Sequence, residues 1–171
     1  MLHVYRAWNG PRPTSAAVAA VTTNTTIQTM QQLATPSTRL IKILAWGYSC
    51  DDPPGADAVF ELIKADTAAT VTAYATADLQ PVPAGVPASL LTVGVSASGY
   101  TSTSETAPTV TKVIDAISVS SVSAEAAAAM KYVQRWDWDA AQVIEVSSFV
   151  RVRATTPTTG VGFRSWIEWC E

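Results

Sequence analysis

Ionic side chains are scarce here: Asp, Glu, Lys and Arg make up 15% of the 171 residues, against about 25% in ordinary globular proteins. A surface so poor in charge has little electrostatic protection against association, and loss of charge marks the core of interfaces. The expectation is a molecule covered over much of its surface by partner subunits, in preference to one wearing a solvated Thr/Ser coat. The net charge of −3, with no run of Lys or Arg anywhere, argues against nucleic acid or an anionic membrane as partner. No segment approaches 18 continuous apolar residues, so nothing is expected to span a bilayer. The opening "MLHVYRAWNGPRP" lacks the apolar stretch of a signal peptide and meets Pro11 and Pro13 early, which predicts synthesis in a cytosol.

Histidine is nearly absent too. His3 is the single one, placed near the N-terminus where a spectator role is expected, and without a base there is no Ser or Cys triad. Zinc is implausible with one histidine and two cysteines. Cys50 and Cys170 belong to no CxxC pair and are expected to be buried, reduced thiols. No GxSxG, GxGxxG, P-loop or HExxH motif occurs. Asp137 and Asp139 in "WDWDA" could form an acid pair of the kind that hydrolyses glycosides. A polar strand end beside structural tryptophans is the favoured reading. Asp51 and Asp52 stand in "DDPPGAD", where Asp belongs to the turn chemistry itself. No catalytic residue, metal or cofactor is therefore assigned.

What the chain does contain is Thr, Ser, Ala and Val in short runs broken by turn residues. Strands are expected at 26–34, 38–48, 58–65, 67–79, 108–122, 130–138, 147–155 and 160–170. The last two are read as a hairpin through "TPTTG". "TRLIKILAWGY" (38–48) is apolar on both faces, with Leu40, Leu44 and Trp46 on one side and Ile41 and Ile43 on the other, which predicts cover on both sides. Residues 80–107 read as a long loop with one short strand near Leu90–Val95. "AEAAAAM" (124–130) reads as a single helical turn. Residues 1–24 are taken as an N-terminal arm, and 25–171 as one all-β domain, an antiparallel sandwich of about eight strands. A jelly roll suits this count and the long crossover; an immunoglobulin-type sandwich is the rival, but its Cys…Trp…Cys spacing is missing.

Six tryptophans are many for this length. Trp46, Trp136 and Trp169 are assigned to the core. Trp8, Trp138 and Trp166 are assigned to contacts with other chains, since aromatic and Arg side chains dominate interface hot spots. Arg151, Arg153 and Arg164, on the outward side of the last two strands, are candidates to pair with acids of a neighbouring subunit.

The stretches "TTIQTMQQLATPSTRLIKILAWGYSCD", "AVFELIKAD" and "FVRVRATTP" with "GVGFRSWIEWCE" resemble a group of small tailed-phage virion structural proteins. The likeness spans residues 25–76 and 108–171. It implies a head-decoration (capsid-cementing) protein with a jelly-roll body, lying on the capsid surface of the virion and binding the major capsid protein. Symmetric placement on an icosahedral lattice implies a homo-oligomer, with a trimer as the natural form. The group has no catalytic residues to carry over. The alternative is a carbohydrate-binding jelly-roll module of a tail or fibre, built around Trp136, Trp138 and Asp137.

Overall fold

The computed structural model describes residues 2–26, 28–105, 110–121, 130–156 and 160–171. Strands account for 51% of the chain, about twice the ordinary share. Among the described residues the single helical element is a 3₁₀ turn at Thr76–Asp78. The helical turn expected at 124–130 falls almost wholly outside the described residues.

In chain order the strands are β1 (Val4–Trp8), β2 (Val21–Thr22), β3 (Thr29–Ala34), β4 (Ile41–Cys50), β5 (Ala58–Ala65), β6 (Thr70–Ala73) and β7 (Gln80–Pro81). They continue with β8 (Gly99–Ser104), β9 (Val110–Val119), β10 (Lys131–Arg135), β11 (Gln142–Ile144), β12 (Phe149–Thr155) and β13 (Gly162–Cys170). Two antiparallel sheets form a sandwich. One runs β10-β4-β13-β1-β7, with β11 also on β4 and β2 on β13; the other runs β6-β8-β3-β12-β5-β9.

The core lies between them. Val150, Val152, Ala154, Phe60 and Leu62 from the six-stranded sheet meet Tyr5, Trp46, Phe163, Ile167 and Trp169 from the seven-stranded one. Tyr48, Phe60 and Phe163 form a triangle of rings with centroids 4.6, 5.0 and 5.5 Å apart, within the range in which aromatic pairs attract beyond their area. Asp115 of β9 closes one side, accepting from Trp46 Nε1 and from the Tyr132 hydroxyl, each at 2.8 Å.

Three expectations change. Residues 4–8 are no arm: β1 lies between β13 and β7, with Tyr5 and Ala7 buried, and Val21–Thr22 pairs with the start of β13. The final two strands are no hairpin either. β12 belongs to one sheet and β13 to the other, so the two strands do not pair. Within 80–107, a strand at Gly99–Ser104 pairs with β3 and β6, whereas Leu90–Val95 supplies only isolated bridges.

The doubly apolar run at 38–48 has a local cause. Opposite β13, Ala45 pairs with Glu168 and Ile43 with Trp169, leaving Leu44 as an extra residue. That bulge shifts the alternation by one. Ile41 and Ile43 before it, and Trp46, Tyr48 and Cys50 after it, all enter the same core. Both sets of apolar side chains are covered by one interior, and Leu40 lies exposed before the strand begins.

Candidate interaction face

The outer surface of the seven-stranded sheet is ordered by register. Val133, Gly47, Trp166 and Trp8 form one row across β10, β4, β13 and β1. Arg135, Ala45, Glu168, Arg6 and Gln80 form the next. Below the bulge, Val143, Lys42, Cys170 and Val4 form another.

Trp166 is the centre of this face. Its indole lies on Gly47, where a Cβ would come 3.0 Å from the ring and 2.7 Å from the Tyr132 carbonyl oxygen; only glycine leaves the space. Trp8 packs beside it, ring centroids 6.5 Å apart. The guanidinium carbons of Arg6 and Arg135 lie 5.1 and 5.6 Å from the Trp166 ring centroid, a cation–π distance. Both arginines share one acid. Arg6 Nη2 is 2.6 Å from Glu168 Oε2, and Arg135 Nη1 is 3.5 Å from Oε1. The Arg135 side chain keeps 60% of its surface in solvent and that of Arg6 36%, while Glu168 keeps 11%.

Trp138 sits at the lower margin of the same face, in the loop between β10 and β11, and is 46% exposed. Lys42 Nζ stands 4.3 Å from its ring centroid. With Leu2, Leu40, Val146 and Arg39 these two residues line an open groove of about 630 Å³. Arg164 belongs to the upper end of the face, where it pairs with Asp51 and donates to the Val18 carbonyl at 2.8 Å.

Four of the six residues read as contact candidates thus share one surface: Trp8, Trp138, Trp166 and Arg164. The other two do not. Arg151 and Arg153 project from the outer side of the opposite sheet, and Arg151 is enclosed by its own chain, its side chain only 1% exposed. Arg151 donates to the Thr67 carbonyl and lies 4.0 Å from Glu105. Arg153 is 3.7 Å from Glu61 and donates to Gln28 Oε1 at 3.1 Å. The expectation that Arg151 meets a neighbouring subunit is corrected by this burial: loops carrying Thr67 and Glu105 cover it. Arg6, Arg135, Lys42 and Gly47 were not singled out from the sequence. They become a group only through the β1–β13–β4–β10 register.

Trp136 packs against the core, as assigned. Asp137 and Asp139 are exposed in the turn after β10. His3 exchanges backbone hydrogen bonds with Glu171, at 3.1 and 3.2 Å. Cys50 and Cys170 are buried free thiols. Burial, and then the Asp51 charge, push the Cys50 thiol up to about 12; burial also raises that of Cys170. Such thiols are poor nucleophiles at neutral pH. Among the described residues no three His, Cys, Asp or Glu side chains converge to hold a metal ion, and no helix is long and apolar enough to cross a membrane.

Comparison with known proteins returns nothing to add: no family model, no curated protein and no solved structure matches the chain.

Proposed function

We propose that this chain is a non-enzymatic structural protein of a tailed-phage particle, a decoration protein that binds the major capsid protein lattice as a symmetric oligomer, a trimer in its simplest form. The observation that carries this reading is the face built on Trp166. It is rigid, aromatic and cationic, and is bordered by the exposed apolar side chains of Val133, Val143 and Trp138. Aromatic and Arg side chains held in place before binding are the elements that dominate protein–protein contacts. The likeness of residues 25–76 and 108–171 to virion proteins points the same way. A jelly-roll body is supported by strand order: β1-β13-β4-β10 faces β3-β12-β5-β9, the arrangement that paired Greek keys produce.

The test is direct. Sedimentation at micromolar concentration should give a closed oligomer, and the protein should pellet with purified phage shells. A monomer that ignores shells removes the proposal. A second reading, a carbohydrate-binding module of a tail or fibre, rests on the exposed Trp138. Its aromatic partner would have been Trp136, which packs against the core, so this reading keeps one platform in place of two. Glycan-array binding that disappears in Trp138→Ala would favour it.

A further inference from the structure

We propose that the groove beside Trp138 binds a small amphipathic carboxylate, an apolar chain ending in an anionic head. Such a site stands apart from the particle reading above and needs neither oligomer nor shell. Four exposed apolar side chains, Leu2, Leu40, Trp138 and Val146, converge on this one hollow of about 630 Å³, a volume within the range of small-molecule sites. Exposed apolar side chains gathered in one place mark a contact, whereas scattered ones need no explanation. These four come from separate stretches: ahead of β1, ahead of β4, between β10 and β11, and between β11 and β12. The fold alone brings them together.

The polar groups of the wall decide what the occupant carries. Glu171, the acid among them, is buried and already engaged: its carboxylate accepts from the Leu90 N–H at 3.0 and 3.1 Å, and its backbone exchanges hydrogen bonds with His3. Lys42 braces the wall, with Nζ over the Trp138 ring and 3.3 Å from the Trp138 carbonyl oxygen, to which it donates. Arg39 is exposed and makes no ion pair among the described residues. Its guanidinium is the group left to meet an anion, and its planar fork of donors matches a carboxylate.

The two ends of the groove differ, which sets the orientation. Arg39 also lines an adjoining pocket of about 220 Å³ with Tyr5 and Leu90, whereas Trp138 lines the larger hollow alone. Asp137 and Asp139, exposed on either side of Trp138 in the chain, lie outside the lining and put negative charge at that end. An anionic head is therefore placed at Arg39, and the tail runs between Leu2, Leu40 and Val146 toward the indole.

Calorimetric titration of the full chain with decanoate, decylammonium and acetate tests this, together with the variants Arg39→Gln and Val146→Asp, each checked for its fold by circular dichroism. The expected result is one decanoate per chain with a Kd below about 1 mM, weakened at least about ten-fold in either variant. Acetate, a head without a tail, and decylammonium, a tail with the opposite charge, should bind far more weakly. Decylammonium binding as tightly as decanoate, or decanoate binding unchanged in Arg39→Gln, overturns the carboxylate head. Absence of saturable decanoate binding, or binding that Val146→Asp leaves untouched, overturns the site itself. None of these outcomes bears on the particle reading, which is decided by sedimentation and by pelleting with shells.

Discussion

The two outer surfaces of the sandwich treat arginine in opposite ways. On the six-stranded sheet Arg151 and Arg153 are drawn under loops and matched to Glu105 and Glu61. Glu105 is itself tied down, accepting from the backbone N–H groups of Gln28 and Thr29 at 2.6 and 3.2 Å and from the Thr29 hydroxyl. On the seven-stranded sheet Arg6 and Arg135 lie over an indole and share Glu168, with their outer edges in water. The same residue type at the same alternating position acts as internal mortar on one side and as an available contact on the other. Loops make the difference. Segments carrying Thr67 and Glu105 fold over the first surface, whereas the rows through Trp166 stay open. A buried arginine is strongly constrained by its partners, since leaving one charge without the other is costly; an exposed one is nearly free to change without harm to the fold.

The largest test of this contrast removes part of the open surface. Deleting residues 1–8 takes away β1, with Arg6 and Trp8 outside and Tyr5 and Ala7 inside. It also leaves Trp166–Cys170 of β13 without a partner on that side. Burying one aromatic side chain contributes about 1.5–3 kcal/mol, and the lost ladder adds to that. Against a typical total of about 5–15 kcal/mol, the expected outcome is loss of the cooperative melting transition in circular dichroism. A truncated chain that melts as sharply as the full one would show that β1 is dispensable.

The second test compares the two arginine classes directly. Arg151→Ala should destabilise by about 3–5 kcal/mol, because it leaves the buried Glu105 carboxylate without its cation. Arg135→Ala should shift stability by no more than about 0.5 kcal/mol, as for other exposed sites. Urea titration of both variants decides it: equal midpoints would erase the distinction between the surfaces. Arg151 has a further peculiarity, since its Nε and Nη1 make no hydrogen bond. Desolvation lowers its pKa, with the Glu105 charge acting in the other direction.

How much of this could be read before the fold was known depends on range. Alternation along β5, β12 and β13 was legible because each presents a regular apolar side: Phe60 and Leu62, Val150 and Val152, Phe163 and Ile167. Alternation says which side a residue occupies, not what covers it, so Arg151 and Arg164 looked equivalent. The bulge at Leu44 was hidden because one inserted residue makes a single-sided strand look apolar all round. β1 escaped notice because five residues before a Pro-rich stretch carry too little pattern to stand out. The "TPTTG" link fits a hairpin by length as readily as a crossing between sheets. As for the candidate face, Trp8 and Trp166 were legible as residue types, but their adjacency is a matter of β1–β13 register across more than 150 residues of chain.

A third, smaller effect is expected at Gly47, beneath Trp166. Gly47→Ala places a methyl 2.7 Å from the Tyr132 carbonyl oxygen and 3.0 Å from the indole. One strand or the ring must shift, at a cost of about 1–3 kcal/mol for overpacking of this kind. Displacing Trp166 also moves it from under Arg6 and Arg135, so if the proposed oligomer forms through this face, its association should weaken together with stability. Unchanged tryptophan emission and an unchanged melting temperature would show that Trp166 does not rest on this glycine.

The smallest effect separates the interior from the open surface by chemistry. Cys50 lies in the core, and Cys170 projects outward beside Lys42 to line the groove next to Trp138. Both thiols are raised by burial, but for Cys170 a backbone hydrogen bond and the charge of Lys42 act in the opposite direction. A thiol whose folded pKa exceeds its unfolded one supports the fold fully below the unfolded value and loses that support as pH rises. For Cys50 the window runs from the ordinary value of 9.0 to about 12. Burial raises Tyr132 as well, from 10.0 to about 12. Stability should therefore be insensitive to these groups through neutral pH and decline above about pH 9. Labelling the native protein at pH 8 should be slow at both thiols, since both are buried, and become fast only when the sandwich opens. Fast labelling of either thiol in the folded protein would show that its surroundings open without global unfolding.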